Sequence, residues 1–469
     1  MIASAPPQIP PDVRDAYQGL SPAAERFLEH LLEHPEEGSQ LEGFEKGLPP
    51  WMIFNDITRL TWPTFVDARR VAEMERATAG VCRLIKAIPA VVFGGDLDAI
   101  ARFYGYEDPG MLEILFAAPN HTDSTVARCD FIDTPDGLKC CEVNMATNLG
   151  GWEHRFWSEH YLPHPVITDF CAREGITPRG RDVLLTLCEH MIDDALNSRV
   201  IDEGGELNVM MALDVEPSEE ARRVTSELYA ELLRRTGRGI TGELWLSRAP
   251  ADELVVRGTR VYRGERRVHV FYGYTNEPVP TAVLRAQIAG AIRVYNGGLT
   301  YLWVDKRNLA LLSENEALAG WKDEYRALIR DHIPWTRLVS ARTTTWRGEA
   351  VQFPGFLLEH RDDMVLKLGR SSGGADVHVG RYITPEAWEA RVREAVEQGG
   401  WIVQERVESR PYLYPPRPGA APVPQTVVWG LFCTGWRYAG GWLRMLPQGD
   451  GEGIVNCSRG ASESGILEV

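Results

Sequence analysis

The stretch "ARCDFIDTPDGLKCCEVN" (residues 127–144) sets four polar side chains, Arg128, Asp130, Glu142 and Asn144, into two short apolar runs separated by a turn. Residues two apart on a strand share a face, so Arg128 and Asp130 point together, as do Glu142 and Asn144. The link Thr134-Pro135-Asp136-Gly137 decides how the runs pair. Pro135 and Asp136 suit the central positions of a type I turn, and Gly137 suits the left-handed position that closes a three-residue loop. Such a loop puts Thr134 opposite Leu138, Asp130 opposite Glu142 and Arg128 opposite Asn144, gathering all four polar groups on one face. A two-residue loop at Asp136-Gly137 would slip the register by one and divide the pairs between faces.

Opposed carboxylates repel unless a cation lies between them. Asp, Glu and Asn oxygens are hard donors suited to Mg²⁺, whose shell is normally completed by phosphates and water. A neighbouring Arg can hold a phosphoryl group. A strand face that is simply wetted accounts for the same residues, so the hairpin alone leaves both readings open.

Working outward, the 469 residues suffice for two or three domains with substantial cores. Apolar content of 44% and charged content of 25% are those of an ordinary globular protein. A net charge of −16 argues against a broad nucleic-acid footprint while allowing a local basic pocket. No apolar run reaches membrane-spanning length, and the start "MIASAPPQIPPDVRDAYQG" has no basic region followed by an apolar core. The eight cysteines show neither a disulfide framework nor zinc spacing, and His154, His160 and His164 read as surface or packing residues. A reduced, cytoplasmic protein is expected, with no nucleic-acid or membrane partner.

Ser21 as N-cap and Pro22 open a helix over 21–34 with the apolar stripe Phe27, Leu28, Leu31 and Leu32. "NLGG" (148–151) predicts a tight loop beside the polar face, and 180–197 a helix. The run "ELNVMMALDV" (206–215), an amphipathic helix ending at Gly237, and "GELWLS" (242–247) form a strand–helix–strand order that predicts a parallel unit. Further strands follow, one turning at Gly264. Later, Thr384 caps a helix that Gly399-Gly400 stops, and "WIVQERV" (401–407) reads as a strand. Six prolines between 411 and 424 predict a loop, before an antiparallel run through "VVWGLFCTGWRYAGGWLRML".

Lys367 precedes Gly369, Ser371, Ser372, Gly373 and Gly374. This is neither a Walker A loop, nor a dinucleotide fingerprint at a strand-to-helix turn, nor a kinase glycine loop. Its order is strand, lysine, Gly/Ser loop, strand. Glycines let backbone N–H groups approach phosphate oxygens and the lysine adds a point charge; an ordinary mobile hairpin tip has the same composition.

Taken together, this lysine–glycine hairpin, the following helix and "WIVQERV" resemble the small lid subdomain of ATP-grasp proteins. Arg128-x-Asp130 followed about a dozen residues on by Glu142-x-Asn144 is similar to the metal-binding pattern of the circularly permuted ATP-grasp ligases, in particular the synthetase domain of glutathionylspermidine synthase. The metal pattern precedes the lysines and the lid, as permutation requires. The resemblance covers most of 120–460, while the first hundred residues carry no assignable motif.

The resemblance implies an α/β (α+β) circularly permuted ATP-grasp fold with an additional Rossmann-like unit. Its parts would be 1–200 (a helical region plus the metal-binding half of the core), 201–300 (the Rossmann-like, substrate-side domain) and 301–469 (the lid and the return to the core). It implies ATP and two Mg²⁺ ions as cofactors. Asp130, Glu142 and Asn144 would be metal ligands, and Arg128 would stabilise the transferring phosphoryl or acyl phosphate. Lys306, in "YLWVDKRNLALLSE" where a strand would feed a helix, and Lys367 would be the nucleotide lysines, with 369–375 the phosphate lid. Gln404, Glu405 and Val407 would form the adenine hinge, while Arg459, with Asn456, would reach the phosphates from the C-terminal segment.

The implied reaction joins a small carboxylate and an amine (amino acid, peptide or polyamine-like) through an acyl phosphate, releasing ADP and phosphate. Two alternatives stay open: a small-molecule kinase, and a nucleotide-binding module without chemistry. Self-association is also left open. No N-terminal amidase accompanies the pattern, since Cys82 is the first cysteine and has no supporting motif; glutathione and spermidine are therefore not carried over as substrates. Asp130→Asn and Glu142→Gln are both expected to stop ATP turnover while sparing the fold.

Overall fold

A computed structural model describes residues 9–42, 60–118, 125–371 and 374–469. Its largest sheet has seven strands. In spatial order six of them are Thr64–Val66, Ser462–Glu468, Arg437–Pro447, Val423–Thr434, Val126–Thr134 and Gly137–Asn144; Tyr412–Tyr414 pairs with Val423–Thr434 off this path. The hairpin at 126–144 and the strands of the last sixty residues thus belong to one sheet. Helix Ala68–Val91 packs across it. Cys129 turns toward that helix, its Sγ lying 3.6 Å from Cys82 Sγ; alternation therefore sends Arg128 and Asp130 to the opposite face.

The strand–helix–strand segment forms the expected parallel sheet, ordered Arg293–Tyr295, Val270–Tyr274, Val209–Leu213, Leu244–Arg248. The central strand is buried at four of its five positions, which explains its unbroken apolar run. A third, antiparallel sheet orders Thr336–Leu338, Trp401–Glu405, Met364–Leu368 and Val377–Val379. It carries Lys367 and the glycine loop, and it has its own core around Trp388, Leu366 and Val403.

The helix signals act as their chemistry requires. The Ser21 hydroxyl accepts from Ala24 N–H at 3.0 Å, the Thr384 hydroxyl from Ala387 N–H at 3.2 Å, and Gly399 ends its helix with φ +68°. Two expectations are corrected. The proline-rich stretch 411–424 is not all loop: Tyr412–Tyr414 is a strand, paired through Leu413 with Pro424, because proline fits at the border of a ladder. Nor does a strand feed the helix after Lys306. Helix Thr300–Trp303 precedes it, and Lys306 is the N-cap residue of Arg307–Glu314. No described helix is long and apolar enough to cross a membrane.

Candidate functional site

The hairpin reaches the predicted alignment by an unexpected route. Thr134 pairs with Gly137, not with Leu138, and Asp133 takes Leu138, so next to the turn the register is one residue off. A β-bulge at Cys141, between the pairs Phe131–Cys140 and Asp130–Glu142, restores it. Beyond the bulge Asp130 faces Glu142 and Arg128 faces Asn144. Cys141 also turns its backbone to use: its carbonyl accepts from Lys367 Nζ at 2.8 Å.

Asp130 is buried, and two arginines hold it. Arg128 Nε donates to Oδ1 at 2.8 Å and Nη2 to Oδ2 at 3.2 Å, while Arg444 Nη2 lies 2.8 Å from Oδ2. Burial alone would raise the carboxyl pKa, but Arg128 and Arg444 override it and hold the group at about 2. Gly430, the cross-strand neighbour of Asp130, makes room here: a Cβ would lie 3.2 Å from Arg128 Cδ and 2.7 Å from Trp442 Nε1. Arg444 belongs to no recognisable sequence motif. Its signal was a lone arginine in the apolar run "GWLRML".

Lys306 ties the hairpin to the glycine loop. Its Nζ lies 3.1 Å from Glu142 Oε1 and also donates to the Ser371 carbonyl. Lys367, on the adjoining sheet, donates to Gln404 Oε1 at 2.7 Å, and burial lowers its ammonium pKa. Gln404 is fixed in turn by Thr336, 3.1 Å from its Nε2. Asp130, Glu142, Lys306, Lys367 and Gln404 line one cavity of about 280 Å³. Glu405, Val407, Gly374 and Asn456 complete other parts of its wall. The hairpin and the flap therefore share one space.

Other predicted positions stand outside that wall. Gly369 is needed for packing: a Cβ there would come within 2.8 Å of Asp305 Oδ1 and of the Gly400 carbonyl. Arg459 is engaged by Glu452 at 3.1 Å, next to the loop that supplies Asn456. Ser372 and Gly373 lie outside the described residues. His154 is a packed core residue whose pKa burial lowers to about 4. Cys82 is buried, and its contact with Cys129 and its burial raise its thiol pKa, consistent with no nucleophilic role.

Among the described residues no cluster of three or more His, Cys, Asp and Glu side chains stands ready for a metal. The candidate donors are two carboxylates and an amide on one hairpin face. Asn144 Nδ2 is buried without a hydrogen-bond partner, a polar group whose partner the chain does not supply. Glu142 has one oxygen paired with Lys306. Carboxylate and amide oxygens are hard donors of the kind a divalent cation takes; the unpartnered Nδ2 is a donor that suits an anionic oxygen, and at Asp130 a cation would compete with the guanidiniums already on both oxygens.

No protein-family model matches the chain. No curated protein matches it either. Among solved structures, it is similar to a glutathione synthetase-like effector from Globodera pallida in its apo form, with a TM-score of 0.50 and 12% identity over 92% of this chain and 96% of that one. At that identity the likeness concerns the fold alone: a mixed α/β architecture of glutathione synthetase-like type. It does not single out glutathionylspermidine synthase.

Proposed function

We propose that the chain is an ATP-dependent carboxylate–amine ligase built on a circularly permuted ATP-grasp fold. One observation carries this: two hairpin carboxylates, two lysines from different elements and the glycine flap converge on one cavity, joined by the Glu142–Lys306–Ser371 contacts. The chain order of these parts, hairpin before lysines and flap, and the glutathione synthetase-like fold support it further.

Phosphoryl transfer needs alignment and charge neutralisation more than covalent help from the protein. Lys306 and Lys367 would receive the triphosphate, Glu405 to Val407 the base, and the loop around Ser371 and Gly374 would cover the phosphates. Mg²⁺ held by Glu142, Asn144 and Asp130 would supply further neutralisation of the phosphate oxygens. Arg128 and Arg444, anchored on Asp130, face the developing negative charge from fixed positions, which costs no reorganisation during transfer. The acid's oxygen takes the γ-phosphoryl group, and an amine then displaces phosphate from the acyl carbon.

The test is to incubate the protein with ATP, Mg²⁺ and pooled amino acids and polyamines, and to search by mass for condensation products. Amide formation matched by ADP release is expected. A phosphorylated small molecule formed without amine dependence would establish a kinase instead, and ATP binding without turnover would leave a binding module.

A further inference from the structure

Between the parallel sheet and helices Val183–Asn197 and Glu219–Arg235 lies a cavity of about 320 Å³. Close-packed interiors rarely leave voids much larger than a water molecule; small-molecule sites begin at roughly this size, ~300 Å³. Met191, Met211, Leu213, Leu228, Leu246 and Tyr272 stand in the wall. Val209, Met211 and Leu213 share a strand face, so the space runs along about 13 Å of strand. Half-exposed Val215 (54%) stands among its lining residues.

One end is tied to the polar cleft through the loop at 149–153 and Arg128. Tyr274, a wall residue, donates to the Leu149 carbonyl at 3.1 Å. Glu153, also lining the cavity, accepts the Gly151 N–H at 3.0 Å, and the neighbouring Gly150 carbonyl accepts from Arg128 Nη1 at 2.9 Å. The loop 149–153 therefore links the cavity to Arg128, the residue that holds Asp130 in the cleft wall. The two spaces also differ in charge. Lys306, Lys367, Arg381, Arg406 and Arg444 meet four carboxylates in the cleft wall, with Arg128 held against Asp130, whereas the only charged residues lining the cavity, among the described ones, are the acids Glu153 and Glu216.

We propose that this cavity selects the second substrate, an amine with an apolar tail: the tail lies along the parallel sheet and the ammonium group meets Glu153. The assignment rests on the ligase function above. A carboxylate head would meet the Glu153 carboxylate at this end, so the acid belongs on the arginine side. In the reaction the amine nitrogen's lone pair bonds to the acyl carbon, and the carbon–oxygen bond to phosphate breaks with its electron pair. Of the two protons lost by the ammonium, one ends on phosphate and one in solvent.

Equilibrium binding tests this on the full chain, by titration calorimetry with the n-alkylamines from butylamine to octylamine and with octanoate, each with and without ATP–Mg²⁺. Affinity is expected to rise about fourfold per methylene, with octanoate at least about tenfold weaker than octylamine. Leu228→Trp, or Thr225→Phe should the first variant fold poorly, should abolish the rise with chain length, and Glu153→Gln should erase the preference for the amine head. Equal or tighter octanoate binding, or no saturable binding of any amine under either condition, would overturn the assignment. Amine binding with these dependences, but no amide formed with any acid, would uphold the pocket and refute the ligase function instead.

Discussion

The polar cleft under the flap and the apolar cavity beside the parallel sheet have similar size and opposite construction. The cleft is over-determined. Asp130 is held by two guanidiniums, Lys367 by a carbonyl and an amide, and Glu142 by Lys306. The cavity is a gap in a core, walled by side chains with no polar claim on an occupant except at its ends. A site that must stabilise a changing charge needs fixed counter-charges, whereas one that only sorts tails needs volume. Four substitutions separate these two designs.

The largest effect is expected from Glu142→Gln. Its side chain is 30% exposed and its ion pair reaches one lysine, buried Lys306, which keeps the Ser371 carbonyl, so the cost to the fold is smaller than at Asp130. ADP release should fall by about a thousandfold, with a smaller drop in thermal midpoint than Asp130→Asn gives. Turnover within tenfold of the unmodified protein would remove the cleft from the chemistry.

Asp130→Asn differs, and corrects the expectation that both acids could be changed without harm to the fold. Removing this charge leaves Arg128 and Arg444 buried and uncompensated, at a cost of about 3–5 kcal/mol. Urea unfolding should show that loss together with the loss of turnover. The pH dependence follows from the lowered carboxyl. Its stabilisation is complete above the unfolded pKa of 3.8 and disappears as pH falls through about 2. The unmodified protein should therefore lose stability over that window and the variant should lose less; parallel acid profiles would place the stabilising charge elsewhere.

The hairpin shows how far sequence alone reaches. Alternation and the Pro-Asp-Gly turn identified the right four residues on one face, but the turn pairing was off by one and the bulge at Cys141 compensated. Bulges leave little trace in composition, because they answer to packing on both sides of a strand. The parallel sheet and the capped helices were legible because periodicity and caps are local. Arg444 and the apolar cavity were not. One comes from a strand three hundred residues from Asp130, and the other is a volume left between helices. Gly369 was legible as a glycine but not for its reason, which is the nearness of Asp305 and Gly400.

A smaller effect is expected behind Arg444. Its cross-strand partner Glu463 is buried, and burial followed by the charge of Glu153 raises its pKa to about 8. Between the unfolded value of 4.5 and about 8 the folded chain keeps a proton that the unfolded chain has released, so this group makes stability decline as pH rises. Glu463→Gln, uncharged throughout, should flatten that decline between pH 5 and 8 in thermal melts. An unchanged slope would assign the titration to another group and weaken the contrast between a cleft of mixed charge and an acidic cavity end.

The smallest effect tests the cavity as unused volume. Ala221 is buried in the first turn of helix Glu219–Arg235 and contributes to both the cavity wall and the small cluster with Leu213 and Leu246. Ala221→Leu adds apolar atoms where packing is absent, and a filled cavity commonly gains about 1 kcal/mol. The expected result is a modestly raised thermal midpoint with weaker octylamine binding. Stability and selectivity then move in opposite directions, as they must if the gap is kept open for a ligand. Destabilisation would mean that the larger side chain overpacks its neighbours, typically by 1–3 kcal/mol. The space near Ala221 would then be part of the core's own packing, and the contrast with the cleft would fail at this end of the cavity.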